Sequence, residues 1–394
     1  MLVERRLSPL AFAGAAIVIV FQLACPIVLA AQGSNLSRGQ YATQSDAARY
    51  RAVAQADGTA YRDFDVEYPP LAYGLFRAVG PRTFDGFREH LFALQVLGQA
   101  LVVLLLFRFW GRRAMWSYLA LSAPMLFVVY SGFDLVAVAL AVGGATLVRL
   151  RYPTSGALAF VTGAFVKLWP LVLLPSVLVR RQTRALATAL AAGAVGLVGW
   201  ALWGGPSAVG QVVTYRGARG WEYESLPGSM LRLVSGQALH FESGSWRVGA
   251  PPKVAGAFLA LVAVTAIAAI WRCAWRRARV PDGVAETAAI TALLTFGTLL
   301  SPQFVIWLLP FVAMAAAGGA PKLERWAGAA LLLTLLDWII FSPAHPGFVG
   351  GELVILARNG ALVGLFIVSV VALRTATPSQ AEPDAASPKV PVAG

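Results

Sequence analysis

From residue 9 to residue 373 the chain alternates between long apolar runs and short polar interruptions. About 20 apolar residues carry a helix across a bilayer. Runs at 9–31, 89–110, 114–131, 133–149, 155–167, 168–180, 186–204, 254–272, 287–300, 303–319, 326–342 and 353–373 predict an all-α integral membrane protein of about twelve spans. The interruptions sort by charge. Arg108, Arg112 and Arg113 fall in one connection, Arg149 and Arg151 in another, then Arg180, Arg181 and Arg184. Arg272, Arg276, Arg277 and Arg279 follow, then Lys322 with Arg325, and Arg374. Twelve spans place all of them, and both termini, on the cytoplasmic face. The stretch 155–180 is the awkward one, with two half-length runs around Lys167 and Pro170. A single span there would carry Arg180, Arg181 and Arg184 to the other side. The charge pattern therefore predicts two short, broken or re-entrant helices, a form tolerated where it is buried in protein or lines a cavity.

Two long connections, 32–88 and 205–253, then fall on the outer face. Within the first, 41–76 holds Asp46, Asp57, Asp63, Asp65 and Glu67, five of the 19 acidic residues of the chain, with five tyrosines and a Pro-Pro pair. Residues 1–374 read as one polytopic domain. The remainder, 375–394, is rich in Ala, Pro and Ser and reads as a disordered cytoplasmic tail.

Composition narrows the class. The chain is 58% hydrophobic and 13% charged, and its mean hydropathy is +0.68. A soluble domain carries about 25% charged residues. The net charge of +13 sits in clusters between apolar runs, so it points to membrane orientation and not to nucleic acid. Cys25 and Cys273 lie at opposite ends of their spans, which predicts no disulfide. The apolar run at 9–31 is longer than the core of a signal peptide and reads as an uncleaved first span.

Several residues could carry chemistry. Ser45-Asp46-Ala-Ala-Arg49-Tyr50 can open a helix with Ser45 or Asp46 at the N-cap, placing Asp46 and Tyr50 on one face. Asp46 is then either a cap or a reactive carboxylate. In YRDFDVEYPP (61–70) the prolines push Tyr68 toward extended geometry, and Leu71 to Val79 suits a short interfacial helix anchored by Tyr73 and Phe76. Asp63, Asp65 and Glu67 are substrate-facing groups or a solvated acidic loop. Lys167, the lone lysine inside an apolar run, either neutralises a phosphate or snorkels. Asp134 and Asp337 at or within spans need partners. The second outer loop sets Glu224 and Arg232 among Trp221 and Tyr223, a mixture suited to phosphate or sugar, or to lying on headgroups. Metal-ligand and nucleotide motifs are missing, so no cofactor is expected.

Asp46-x-x-x-Tyr50 followed by YRDFDVEYPPL resembles the integral-membrane GT-C glycosyltransferases, and most closely glycosyltransferase family 87, whose members include polyprenyl-phosphate-mannose-dependent mannosyltransferases. FVKLWPLVLLP (165–175), ESLPGSMLRL (224–233) and SPQFVIWLLP (301–310) are similar to later landmarks of that family. The resemblance implies a many-helix fold with an extracytoplasmic catalytic cavity. It implies transfer of a sugar from a polyprenyl-phosphate donor to a glycolipid or glycan acceptor. It also implies an aspartate base in the first outer loop, a position Asp46 matches, with Asp65 and Glu67 as rivals. Tyr50, Asp65, Glu67, Tyr68, Lys167, Glu224 and Arg232 are the expected substrate contacts. An arabinofuranosyl or other pentosyl transferase of the same fold, or a transporter or flippase for a lipid-linked solute, are the alternatives; a flippase would show inverted halves, and no repeat is visible.

Overall fold

A computed structural model describes residues 18, 20–24, 45–80, 82–130, 132–214, 219–242, 244–340 and 349–378. Most of the predicted first span and most of the tail lie outside the described residues. The longer helices are α1 (Asp46–Gln55), α2 (Pro70–Val79), α3 (Phe84–Ser122), α4 (Asp134–Arg149), α5 (Pro153–Ala164), α6 (Thr183–Gly204), α7 (Leu226–Ser235), α8 (Lys253–Trp275), α9 (Val284–Phe296), α10 (Leu309–Ala317), α11 (Pro321–Ile340) and α12 (Val349–Thr375).

Four helical stretches are long and apolar enough to cross a membrane among the described residues: Phe84–Met125, Thr183–Gly204, Lys253–Trp275 and Gly350–Thr375. Several other predicted spans fall on shorter helices among the described residues. α4 has 16 residues, about 24 Å of helix against a hydrocarbon core of about 30 Å. The chain is thus a mostly helical membrane protein, and helix length does not support the count of twelve. In one place the predicted boundary is visible inside a continuous helix. Gly111 breaks α3 with φ 85° and ψ 179°, between Arg108 and Arg112 and between the predicted runs 89–110 and 114–131. That backbone is open to glycine and strained for other residues.

The 155–180 stretch is a broken hairpin. α5 stops at Ala164, a 3-10 turn spans Trp169–Leu173, and a short helix at Ser176–Val179 completes the return. Its two ends meet. Arg149 and Arg180 both approach Asp282, the latter at 3.8 Å, and Trp110 Nε1 donates to the same carboxylate at 3.2 Å. Arginines of two predicted cytoplasmic connections, with Trp110 of a third and Asp282 of a fourth, therefore share one end of the bundle. Lys167 sits at the opposite tip, and there Leu71 N–H of α2 donates to Phe165 O at 2.9 Å. We call that end, where both long connections lie, the loop face.

The second long connection corrects the expectation of helices alone. β1 (Trp221–Glu222), β2 (Leu239–Glu242) and β3 (Ser245–Val248) form an antiparallel sheet in the order β1-β3-β2. β2 and β3 pair up to Glu242 opposite Ser245, and Gly244, just before Ser245, sits at φ +82°. A positive φ is what tight hairpin turns require. The sheet closes a small core of Tyr223, Val248 and Ile355, the last from α12. Strands this short leave no alternation long enough to read in sequence. A second pairing, Thr377–Pro378 with Arg277–Arg279, shows that the start of the predicted tail is ordered.

α2 also differs from its expected role. Its Pro70 start and left-handed Gly80 stop follow the usual grammar of helix ends. Tyr73 and Phe76, expected as interfacial anchors, are buried instead. Phe76 stacks on Tyr50 with ring centroids 4.6 Å apart. Phe133, from the turn before α4, meets Tyr50, Tyr68 and Phe76 edge-on at 5.2, 5.0 and 4.9 Å. This aromatic knot fixes the first loop on the bundle.

Candidate active site at the loop face

Ser45, not Asp46, caps α1: its hydroxyl accepts from Ala48 N–H at 3.3 Å. Asp46 is thereby released for other contacts. Its side chain is 29% exposed, and three donors converge on it. Arg49 Nη2 reaches Oδ1 at 2.6 Å, while Tyr50 Oη and Gln303 Nε2 reach Oδ2 at 3.3 and 3.4 Å. Arg49 also approaches Glu67 Oε1 at 3.4 Å, so one guanidinium bridges two carboxylates. Burial, then the neighbouring Asp46 charge, pushes the Tyr50 hydroxyl well above its ordinary range, partly offset by Arg49. Tyr50 is consequently a neutral phenol and a hydrogen-bond donor at physiological pH.

Behind the aromatic knot lies a second charged pair. Lys167 Nζ donates to Asp134 Oδ1 at 2.6 Å, and Trp307 Nε1 donates to the same oxygen at 2.7 Å. Asp134 is wholly buried and Lys167 nearly so, at 8% exposure. The ammonium lies 4.7 Å from the Phe133 ring, 5.0 Å from Phe304 and 5.7 Å from Trp307. Snorkelling is thereby excluded, because the charged head points inward. Phe133 touches both Tyr50 and Lys167 and so separates the two charged pairs. The short 3-10 helix Pro302–Trp307 joins them from the other side, carrying Gln303 to Asp46 and Phe304 and Trp307 to Lys167.

The remaining predicted residues divide. Tyr68 is buried edge-on to Tyr50 at 5.3 Å, and Glu67 is buried beside Arg49. Asp65 is exposed. Asp63 closes its own turn, accepting from Thr59 N–H at 2.6 Å.

Glu224 and Arg232 take part in a different polar centre. Arg358 of α12 is fully buried and donates to Glu224 Oε2 at 2.9 Å and Asp337 Oδ2 at 3.1 Å. Asn359 Nδ2 donates to Glu224 O at 3.1 Å and to Ser229 Oγ at 3.0 Å. Arg232 pairs with Glu352 at 2.8 Å. Burial raises Glu224, with Arg358 opposing. Burial and the Glu224 charge push the neighbouring Glu222 up to about 8, with Arg247 opposing. Sequence reasoning had not singled out Arg358. The signal was there, since an arginine inside the run 353–373 is costly unless it is partnered. Gln303 was equally unmarked, because an amide in SPQ carries no charge to notice.

An open groove of about 470 Å³ lies between α7, the start of α8 and the end of α9, lined by Leu226, Met230, Val234, Phe258 and Phe296 among others. Its walls are almost entirely apolar side chains. Among the described residues, no group of three or more His, Cys, Asp or Glu side chains comes together as a metal site.

Compared with known proteins, the chain finds no match among curated ones. The profile of glycosyltransferase family 87 matches residues 67–302. The match opens on Glu67 and covers the 155–180 hairpin, Lys167 and the second loop. Gln303 stands one residue beyond it and Asp46 21 residues before it, so their assignment rests on the geometry above. The chain belongs to glycosyltransferase family 87, and it is a membrane glycosyltransferase.

Proposed function

We propose that the protein transfers mannose from a polyprenyl-phosphate donor to a glycolipid or glycan acceptor on the extracytoplasmic side of the cell membrane, with inversion. The observation that carries this reading is the Asp46 carboxylate, partly exposed at the loop face and held by Arg49, Tyr50 and Gln303. In the reaction the acceptor oxygen bonds to the anomeric carbon as the bond from that carbon to the phosphate oxygen breaks. The acceptor proton passes to Asp46, and the bonding electron pair leaves with the lipid phosphate. That leaving group needs cations, not a proton. Arg49 and Lys167 are the nearest, and each is neutralised at rest by a carboxylate that a phosphate would displace or share. One carboxylate suffices, where a hydrolase would use an acid and a base at a set separation. No metal or other cofactor takes part in this scheme. The apolar groove beside α7 is compatible with a lipid-linked donor.

The test is incubation of the purified protein in detergent with polyprenyl-phosphate mannose and membrane glycolipid, followed by mass analysis of the lipids. A product one hexose heavier, formed also in chelator, is expected. Transfer from a nucleotide sugar in the absence of lipid donor would overturn the reading. A polyprenyl-phosphate pentose used in preference to mannose would keep the class and change the sugar. Introduced cysteines in 32–88 and 205–253 should be labelled from outside the cell; labelling from the cytoplasm would reverse the orientation.

A further inference from the structure

We infer that Gln303 is a positioning residue that orients the Asp46 carboxylate for proton abstraction, and that Ser301 sets the polarity of its amide. The inference rests on the proposed role of Asp46 as base. A carboxylate offers about four lone-pair sites. Among the described residues three donors take three of them: Arg49 on Oδ1, Tyr50 and Gln303 on Oδ2. One site remains, on Oδ1. Two donors on Oδ2 fix the plane of the carboxylate and aim that site.

Gln303 can do this only if its NH₂ faces Asp46, because two facing oxygens would repel. Ser301 provides for that. Its hydroxyl donates to Gln303 Oε1 at 2.6 Å, which occupies the amide oxygen and turns the NH₂ toward Oδ2. Pro302 begins the 3-10 helix between them and holds both side chains on one turn. The same helix packs Phe304 over Lys167 and donates from Trp307 to Asp134. It therefore spans from the proposed base to the Lys167–Asp134 pair and sets their separation. An amide adds this donor with no net charge. That matters at a site where Asp46 already faces Arg49 and Tyr50 on its own helix, Glu67 beyond Arg49, and the Lys167–Asp134 pair beyond Phe133.

The test is the pH dependence of mannose transfer, with kcat and KM resolved, for Gln303→Met, Gln303→Glu and Ser301→Ala, alongside Asp46→Asn. Met keeps the length and loses the donor. Losing a hydrogen bond to the ionised base makes protonation easier. In Gln303→Met the acid limb of the profile should move to higher pH, and kcat should fall about tenfold, the scale of one charge-assisted hydrogen bond. Donor KM should stay within about twofold. Gln303→Glu should move the limb further, because it sets a second carboxylate against the first. Ser301→Ala should move it the same way by less. A purely structural residue would lower the yield of folded enzyme and leave the limb in place. If Gln303→Met does not fold, Gln303→Glu and Ser301→Ala report the same limb at the same half-buried positions. Wild-type limbs and kcat in the folded variants overturn the inference. Full activity in Asp46→Asn instead overturns the base assignment and is read separately.

Discussion

The loop face holds two charged centres built from the same residue types, and they are finished differently. Around Asp46 the contacts to Oδ2 are long, at 3.3 and 3.4 Å, and the carboxylate is 29% exposed. Around Arg358 the guanidinium is fully buried, and Glu224, Asp337 and Asn359 close over it. A group that must exchange partners during a reaction cannot be sealed. A group that ties a loop to the bundle works best when it is. Buried ion pairs add little net stability over apolar packing, yet losing one partner is costly. The Arg358 centre therefore reads as the clasp that fixes 205–253 onto α11 and α12, and the Asp46 centre is open in the way the proposed chemistry requires.

The largest effect that separates the two is expected at Asp46. Asp46→Asn keeps the shape and removes the base, while Ser45 still caps the helix. Turnover should fall on the order of 10²–10⁴-fold with thermal stability unchanged. If Asp46→Asn remains active while Asp65→Asn or Glu67→Gln is dead, the base moves to that residue. At the clasp the pattern should invert. Arg358→Ala leaves Asp337 buried and Glu224 partly buried without their cation and should cost about 3–5 kcal/mol of stability, read as a lowered midpoint of thermal unfolding. An Arg358→Ala protein that is stable but inactive would place Arg358 in the reaction and erase the distinction.

Lys167 lies between the two cases, since it is buried and paired yet borders the site. Lys167→Ala strands Asp134, so the informative variant is Lys167→Met with Asp134→Asn, which removes both charges together. Donor affinity should drop by about 1.5–3 kcal/mol if Lys167 holds the phosphate. Unchanged donor KM in a folded double variant would make the pair a second clasp.

A last effect, on stability alone, is expected at Glu222. Its folded carboxyl holds a proton up to about pH 8, whereas an unfolded one releases it near the ordinary value of 4.5. Across that window the folded state binds the extra proton, so stability is fully present below about 4.5 and is lost as pH rises through 8. Glu222→Gln should flatten the decline in the melting temperature over that range. An equally steep decline in the variant would locate the titration elsewhere.

What could be read in the sequence was whatever lay within one turn of helix or stood out by charge. The Asp46–Tyr50 pair follows from a spacing of four, and the oddity of Lys167 from a cation in an apolar run. The family profile matches 67–302, which takes in FVKLWPLVLLP and ESLPGSMLRL but leaves out the Asp46–Tyr50 pair and most of SPQFVIWLLP. The partners did not show, because they come from afar: Asp134 lies 33 residues from Lys167, and Gln303 lies 257 from Asp46. No periodicity connects such positions. The small sheet was hidden by the brevity of its strands. The aromatic knot turned two supposed membrane anchors inward, since an interfacial tyrosine and a core tyrosine look alike until their neighbours are known.

The 257-residue gap between Asp46 and Gln303 also sets a schedule. At about 5–20 residues per second of synthesis, roughly 13–50 seconds separate the emergence of the two side chains. The turn at Gly244, against which the Arg49 guanidinium packs so closely that a methyl group there would have to displace it, arrives in between. Until the last of these segments is in place, the aspartate stands in a half-built setting. The proposed reactive centre is thus complete only once residue 303 has been made, and chains cut short before it should be inert whatever they have already inserted.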